Sequence, residues 1–410
     1  MKVLFVSDLY PPIWVGGYEV NCAEMARGLA DRGHEVHVLT SAYSAEQITE
    51  RQDRVYRRLL FNANWIPPQA PGATGIGRNR LVVQWHNVRA VRDVIDQVAP
   101  QVVVFWGCHH LGRALLSAAE ERARVVYWLA DPWLTLELAL ETREWRYRWP
   151  RRLYDAGLRL LGIPSGKVRR DHLIFVSRAL RAEYVRLGAR VGQGTIIYPG
   201  IPAELAQFQP PHILSRDPAE PPRILYFGAI SAFKGVMTLV DALETLRRIP
   251  DLADTRLTLL GNVHQEEFGV ALRRRIRDLG LQDAVELVPR CPRSELPAVF
   301  RRHDVQAFTS EGVEAYSLSL LEGMAAGLPV VSSLCGGSAE ILRDGVNGLT
   351  FRAGDAGDLA AKLAWLLQHP AEAASIGRTA SAEVRECCTL RSQVDALEAY
   401  LQKVVARRPA

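Results

Sequence analysis

The chain has 410 residues, 48% of them hydrophobic and 23% charged, an ordinary globular composition whose length suits two or three domains with cores of normal size. Its 50 Lys+Arg against 45 Asp+Glu leave a mildly basic balance, too weak by itself to point to nucleic acid. The six cysteines form no CxxC pair and no Cys/His metal spacing, so buried free thiols in a reducing compartment are expected.

The opening MKVLFVSDLYPP holds an apolar run too short for a signal peptide, and no stretch reaches the ~18 apolar residues of a membrane span. A soluble, cytoplasmic protein is the expectation. KVLFVS reads as a parallel strand buried on both faces. The loop DLYPPIWVGG leads into a helix ending near Gly33, and EVHVLT is the next strand. Further strands are predicted at 101–106 (QVVVFW), 124–129 (RVVYWL), 173–177 (LIFVS) and 195–199 (TIIYP), with helical patterns between most of them. This is an open, doubly wound α/β domain.

Residues 202–222 are proline-rich and aperiodic, which places the domain linker there. The pattern then restarts with RILYFG, a helix from about 235, RLTLLG, a helix, AVELV, a short helix, VQAFTS, a helix and PVVSS. A second Rossmann-like domain follows from it, and TLRSQVDALEAYLQKVV closes the chain as an amphipathic helix. Two such domains facing each other put a cleft at the carboxyl ends of their sheets, where ligands bind in open α/β folds.

The loops after the strands must therefore decide function. Gly16 and Gly17 sit between the first strand and helix, where backbone amides favour an anion, although a tight turn explains them equally. In FGAISAFKG, Lys234 sits near a helix N-terminus, unfavourable for the helix dipole unless a diphosphate binds there; a solvated lysine is the alternative. In EGVEAYSLSLLEGM, Glu314 precedes the helix start and Glu322 follows eight residues later, at the edge of the apolar arc of Leu318, Leu321 and Ala325. Ser319, Gly323 and Ala326 beside it form a strip of small side chains that would leave room for a nucleotide. A carboxylate there could accept from both hydroxyls of a ribose, against the alternative of two solvated glutamates. The pair Gly336-Gly337 is a second glycine turn before a helix. GATGIGRNR (72–80) superficially matches a dinucleotide fingerprint, but it follows no convincing strand and its spacing is wrong. His109 and His110 end the strand VVVFW and could face the cleft or serve structure alone.

Together these residues resemble glycosyltransferase family 4, the retaining sugar-nucleotide transferases of GT-B fold. The strongest block is TSEGVEAYSLSLLEGMAAGLPVVSSLCGGSAEILRDGVNGLTFRAGD; GGYEVNCAEMARGLADRGHEVHVLT and VSRAL...YPGI add to it, so the resemblance spans nearly the whole chain. It implies two facing Rossmann-like domains: residues 1–203 on the acceptor side and 204–388 binding the donor nucleotide, with a crossover helix at 389–410 packing back on the first. It implies Gly16 and Gly17 near donor diphosphate or acceptor, Lys234 neutralising the departing diphosphate and Glu314 holding the transferred sugar. Backbone amides of Tyr316, Ser317 and Leu318 would meet the phosphates and Glu322 the ribose, while Gly261 and Arg290 lie in loops that frame the nucleobase. Two positions depart from the family pattern. Ala229 stands where an arginine is frequent, and Ala130-Asp131 replaces a His-Asp pair. Asp131 is assigned to the reaction centre, with His109 and His110 as acceptor-side candidates able to take over part of the missing histidine's role.

The implied activity is retaining transfer of a hexose-type sugar from a UDP- or GDP-sugar to a glycan, lipid-linked or small-molecule acceptor, in surface-glycan or exopolysaccharide biosynthesis. A sugar-nucleotide 2-epimerase and a noncatalytic sugar-nucleotide-binding module are the rival readings. No cofactor or metal is expected, since the sequence presents no carboxylate/histidine cluster. The segment 143–170, with nine Arg/Lys, two acids and interleaved aromatics, could lie on an anionic membrane surface, which would make the enzyme peripheral; a solvated helix is the alternative.

Overall fold

The computed structural model describes residues 1–48, 52–62, 76–77, 80–134, 156–158, 160–164, 168–192, 194–205, 217 and 220–406. The chain forms two compact units, Met1–Tyr198 with Gln393–Ala410, and Pro199–Ser392.

The first unit is built on a parallel sheet. Its strands are β1 (Lys2–Ser7), β2 (Glu35–Ser41), β3 (Val55–Leu59), β6 (Val102–Phe105), β7 (Val125–Leu129), β8 (Leu173–Phe175) and β9 (Thr195–Ile196), in the order β3-β2-β1-β6-β7-β8-β9. A two-residue pair, β4 (Phe61–Asn62) with β5 (Ile76–Gly77), stands apart from it. Continuous apolar runs become central strands because both faces of the sheet are covered; Val3, Leu4, Phe5 and Val102 to Phe105 have no exposed surface. The chain first builds outward from β1 to β3, then returns to the other side of β1 and continues from β6 to β9. Strand β3, VYRRL, went unrecognised in the sequence because an edge position, with only Leu59 fully buried, removes the apolar signal.

The C-terminal helix Leu390–Ala406 belongs from Gln393 onward to this first unit. Gln393 and Asn21, both buried, exchange side-chain amide hydrogen bonds of 3.1 and 2.9 Å. Val394 fills the space a side chain on Gly28 would need, and Arg32 bridges to Asp395 and Glu398.

The second unit has six parallel strands: β10 (Arg223–Phe227), β11 (Arg256–Leu260), β12 (Val285–Val288), β13 (Val305–Phe308), β14 (Val330–Ser333) and β15 (Leu349–Phe351), in the order β12-β11-β10-β13-β14-β15. Its core gathers Ile224, Leu239, Leu243, Leu257 and Val305 with Leu359 and Leu363 from the helix Ala356–Gln368. The helix expected after Gly336-Gly337 is the short 3-10 turn Gly336–Glu340, and strand β15 with the helices Ala356–Gln368 and Pro370–Cys387 follows it in a stretch where the sequence patterns mark no element.

In each unit the build direction reverses once, between β1 and β6 and between β10 and β13. Such a reversal separates the loops leaving the two central strands and opens a ligand crevice at their carboxyl ends. Asp8 follows β1 and His109-His110 follow β6; Lys234 follows β10 and Glu314 follows β13.

Candidate active site

In the second unit, the loops after β10 and β13 are stitched together by backbone. Thr309 Oγ1 donates to the Lys234 carbonyl at 2.9 Å, and the Glu311 amide to the Phe233 carbonyl at 3.0 Å. Gly235, between the turn Ala232–Lys234 and the helix Val236–Leu246, has φ +64°, and a Cβ there would lie 1.9 Å from the Thr309 carbonyl oxygen. Only glycine permits both that conformation and that approach. Lys234 is thereby aimed at Glu314: its Nζ forms an ion pair with Oε1, which also accepts from Ser310 Oγ at 2.5 Å. The dipole conflict expected at Lys234 is thus met by the chain's own carboxylate.

Glu314 is itself positioned by the glycine turn 336–337. The Gly337 amide donates to the Glu314 carbonyl at 2.7 Å, and a Cβ on Gly336 or Gly337 would come within 2.0 or 2.1 Å of the carbonyl oxygens of Glu314 or Ala315. This turn serves close backbone packing under the Glu314 loop.

The helix Leu318–Ala326 starts from the N-cap Ser317 and ends at Gly327, φ +87°. The amides of Ser317 and Leu318 have no hydrogen-bond partner among the described residues, as expected of a helix start that can receive an anion. Glu322 is 3% exposed. Arg293, in the turn after β12, is its partner: Nε donates to Oε1 at 2.8 Å and Nη2 binds the same oxygen. Burial raises the Glu322 carboxyl above its usual range, and the Arg293 guanidinium pulls against that shift. With both contacts on Oε1, Oε2 remains available as an acceptor.

The expectation that small residues on this helix leave room for a nucleotide needs correction at two positions. Gly323 does not leave space for a nucleotide, because the Gln306 side chain occupies it; a Cβ on Gly323 would fall 1.5 Å from Gln306 Oε1. Ala326 packs with Leu225, Leu260, Leu296 and Phe300, so the small residues admit protein. Gly261 brings the loops after β10 and β11 together: its amide donates to the Val288 carbonyl at 2.9 Å, and a side chain there would strike Gly228. Arg290 is exposed, with its amide on Asn262 Oδ1 at 3.3 Å.

In the first unit, Asp8 sits between the histidines. Its Oδ2 accepts the His109 amide at 2.9 Å and lies 3.3 Å from His109 Nδ1 and 3.9 Å from His110 Nε2, while Oδ1 takes the His110 amide at 3.4 Å. The other His109 nitrogen, Nε2, meets Asp131 at 2.9 and 3.0 Å. Asp131 is held in turn by the Trp133 amide at 2.8 Å, and its carbonyl accepts from Tyr184 Oη at 3.0 Å. Burial lowers the His109 pKa, but the hydrogen bonds and charges of Asp131 and Asp8 outweigh it and push it up to about 10. His110 is taken down to about 4, chiefly by burial. The expectation that no carboxylate/histidine cluster exists therefore fails: Asp8, His109 and His110 place ligand atoms within 4.8 Å of one another. Gly16 caps the helix Gly17–Asp31, but its amide donates to Glu19 Oε2 at 3.0 Å, so the chain's own carboxylate takes up that donor.

The description "Glycosyltransferase Family 4" fits residues 15–205 and "Glycosyl transferases group 1" fits residues 215–383, one match to each unit. The chain belongs to glycosyltransferase family 4. It is similar to D-inositol 3-phosphate glycosyltransferase of Pseudarthrobacter chlorophenolicus, 29% identical over 94% of this chain and 90% of that protein. Glycogen synthase of Mycobacterium tuberculosis is 27% identical, covering 93% of this chain and 89% of its own. Among solved structures, Alr3699/HepE of Anabaena with UDP-glucose superposes with a TM-score of 0.71 at 21% identity, covering 98% of this chain and all of its own. The fold is GT-B and the chain is a glycosyltransferase enzyme.

Within this glycosyltransferase the sequence motifs single out Lys234, Glu314 and Glu322 but give no sign of Arg293. No fixed spacing links a turn after β12 to a helix after β13, so tertiary structure alone makes that pair. Asp8 was equally unmarked, although its place directly after an apolar strand was a usable signal. Most of 143–170 lies outside the described residues; within it, Leu160 and Leu161 are exposed. Among the described residues no helix is long and apolar enough to cross a membrane.

Proposed function

We propose that this glycosyltransferase moves a hexose-type sugar, with retention, from a nucleoside diphosphate sugar. UDP-sugars are the first donors to test, since the Anabaena neighbour was solved with UDP-glucose. The observation that carries the reading is the Lys234–Glu314 ion pair at the β10/β13 reversal, followed in the chain by the amides of Ser317 and Leu318, which have no hydrogen-bond partner among the described residues. Donor entry would exchange that pair: the diphosphate takes Lys234 and the helix-start amides, with Tyr316 at the same turn, and the sugar hydroxyls take Glu314. Glu322 Oε2 would accept from the ribose, with Gly261 and Arg290 at the base.

Transfer then needs little covalent chemistry from the protein. The bond from the anomeric carbon to the diphosphate breaks, that carbon gains oxocarbenium character, and an acceptor hydroxyl attacks the same face and passes its proton to the departing phosphate oxygen. Fixed amides and one cation stabilise the charge growing on the leaving group. The acceptor side belongs to the first unit, where Gly17 and the Asp8–His109–Asp131 chain offer polar groups for hydroxyls of a glycan, lipid-linked or small-molecule acceptor. The His109–Asp131 contact supplies the pairing that Ala130 removes from the family pattern. A role in surface-glycan biosynthesis and a peripheral membrane position are parts of the same proposal.

The test is a panel of UDP-, GDP- and ADP-sugars, following release of nucleoside diphosphate and the anomeric configuration of the product. Release with a retained anomer supports the reading. Epimer formation, or donor binding without turnover against any acceptor class, would overturn it.

A further inference from the structure

We propose that Asp8, His109 and His110 form a binding site for a divalent transition metal of the zinc type, with Asp131 as the outer partner that orients His109. The donor set is one carboxylate and two imidazoles, a combination that suits late first-row metals. In a four-coordinate shell with bonds of about 2.0–2.1 Å, neighbouring ligand atoms stand roughly 3.3–3.5 Å apart. His109 Nδ1 and Asp8 Oδ2 are 3.3 Å apart, and His110 Nε2 is 3.9 Å from the same oxygen. All three ligand atoms lie within 4.8 Å of one another. Closing the shell asks His110 Nε2 to approach Asp8 Oδ2 by about half an ångström.

Outer contacts point the same way. A metal-bound histidine characteristically gives its second nitrogen to a carboxylate, which fixes the ring and its tautomer. Asp131 makes that contact with His109 Nε2 at 2.9 Å, leaving Nδ1 for the metal. Asp8 is oriented by the amides of His109 and His110, and its own amide donates to the Gly107 carbonyl at 3.0 Å. The two imidazoles stack with centroids 5.4 Å apart, and His110 meets the Phe61 ring edge-on. The cluster also stands at the β1/β6 reversal, where an α/β sheet presents its ligand crevice. Three protein ligands keep at least one coordination position for a substrate oxygen, the pattern of a metal that meets substrate.

The competing occupant is a proton: a charged His109 bridging the two carboxylates would give the same heavy-atom arrangement. Chelator-stripped full-length protein titrated with Zn2+ and with Co2+, by calorimetry and visible absorption, separates the two. One equivalent should bind, with a Co2+ spectrum free of thiolate charge-transfer bands. Affinity should fall at least 10-fold in His110→Gln and 10–100-fold in Asp131→Asn. Thermal melts of the stripped variants would show that each is folded, and Asp8→Asn is a third variant if one is not. No binding at millimolar Co2+, thiolate bands, or unchanged affinity in folded His110→Gln would each overturn the site. Metal binding is measured without donor, so it stands or falls apart from the donor reading.

Discussion

Replacing Arg293 with methionine leaves Glu322 without its charge partner at a site where the carboxylate side chain is 4% exposed. Breaking a fully buried ion pair this way costs about 3–5 kcal/mol. Arg293 keeps a quarter of its side-chain surface exposed, which moves the expectation to the lower end. A ceiling comes from protonation, because a stranded carboxylate can take up a proton. From an unfolded value of 4.5, that costs about 3.4 kcal/mol at pH 7 and about 0.7 kcal/mol at pH 5. The variant should therefore lose about 2–3 kcal/mol at pH 7 and under about 1 kcal/mol at pH 5. The sign follows from linkage. A carboxyl whose folded pKa lies above its unfolded value binds more protons when folded, so stability falls as pH rises through the window between the two. Removing Arg293 extends that window upward, so the deficit grows from pH 5 to pH 7. For a unit of this size the pH 7 loss corresponds to about 5–10 °C in Tm of the transition assigned to Pro199–Ser392. Calorimetric melts at both pH values, with Arg293→Lys as control, provide the assay. An equal loss at pH 5 and pH 7 would show that Arg293 acts through packing and would refute the charge argument.

Lys234→Ala should lower turnover about 100–1,000-fold with the fold intact, read from donor-saturated kinetics; activity within tenfold of the parent would remove Lys234 from the leaving-group site. Glu322→Ala should weaken UDP binding about 10–100-fold by calorimetry, the loss of one or two charge-assisted hydrogen bonds. Unchanged affinity there would contradict the ribose assignment. Gly235→Ala forces a Cβ against the Thr309 carbonyl at φ +64° and should depress both Tm and donor affinity, whereas an unaltered melt would mean that the loop yields freely. Asn21→Ala removes both side-chain amide hydrogen bonds between Asn21 and the buried Gln393 and should cost the first unit about 1–3 kcal/mol, visible as a lower urea midpoint.

The chain's order of apolar runs and loops determined two doubly wound parallel sheets, because fully buried strands must be continuously apolar and the helices between them must be amphipathic. Local chemistry was legible in part: Glu314 precedes the start of the helix Leu318–Ala326, and Glu322 lies at the edge of its apolar arc, as their spacing predicts. Legibility ended wherever a partner came from another strand's loop. Arg293 reaches Glu322 across 29 residues, His109 reaches Asp131 across 22 and Asp8 across 101, and Gln306 fills the notch at Gly323. Those pairings depend on which strands become neighbours in the sheet. Strand order is set by burial of the whole core, so no single stretch of sequence encodes it. The sequence singled out Lys234, Glu314, Glu322 and Asp131, whereas Arg293 and Asp8 join them only through the sheet order.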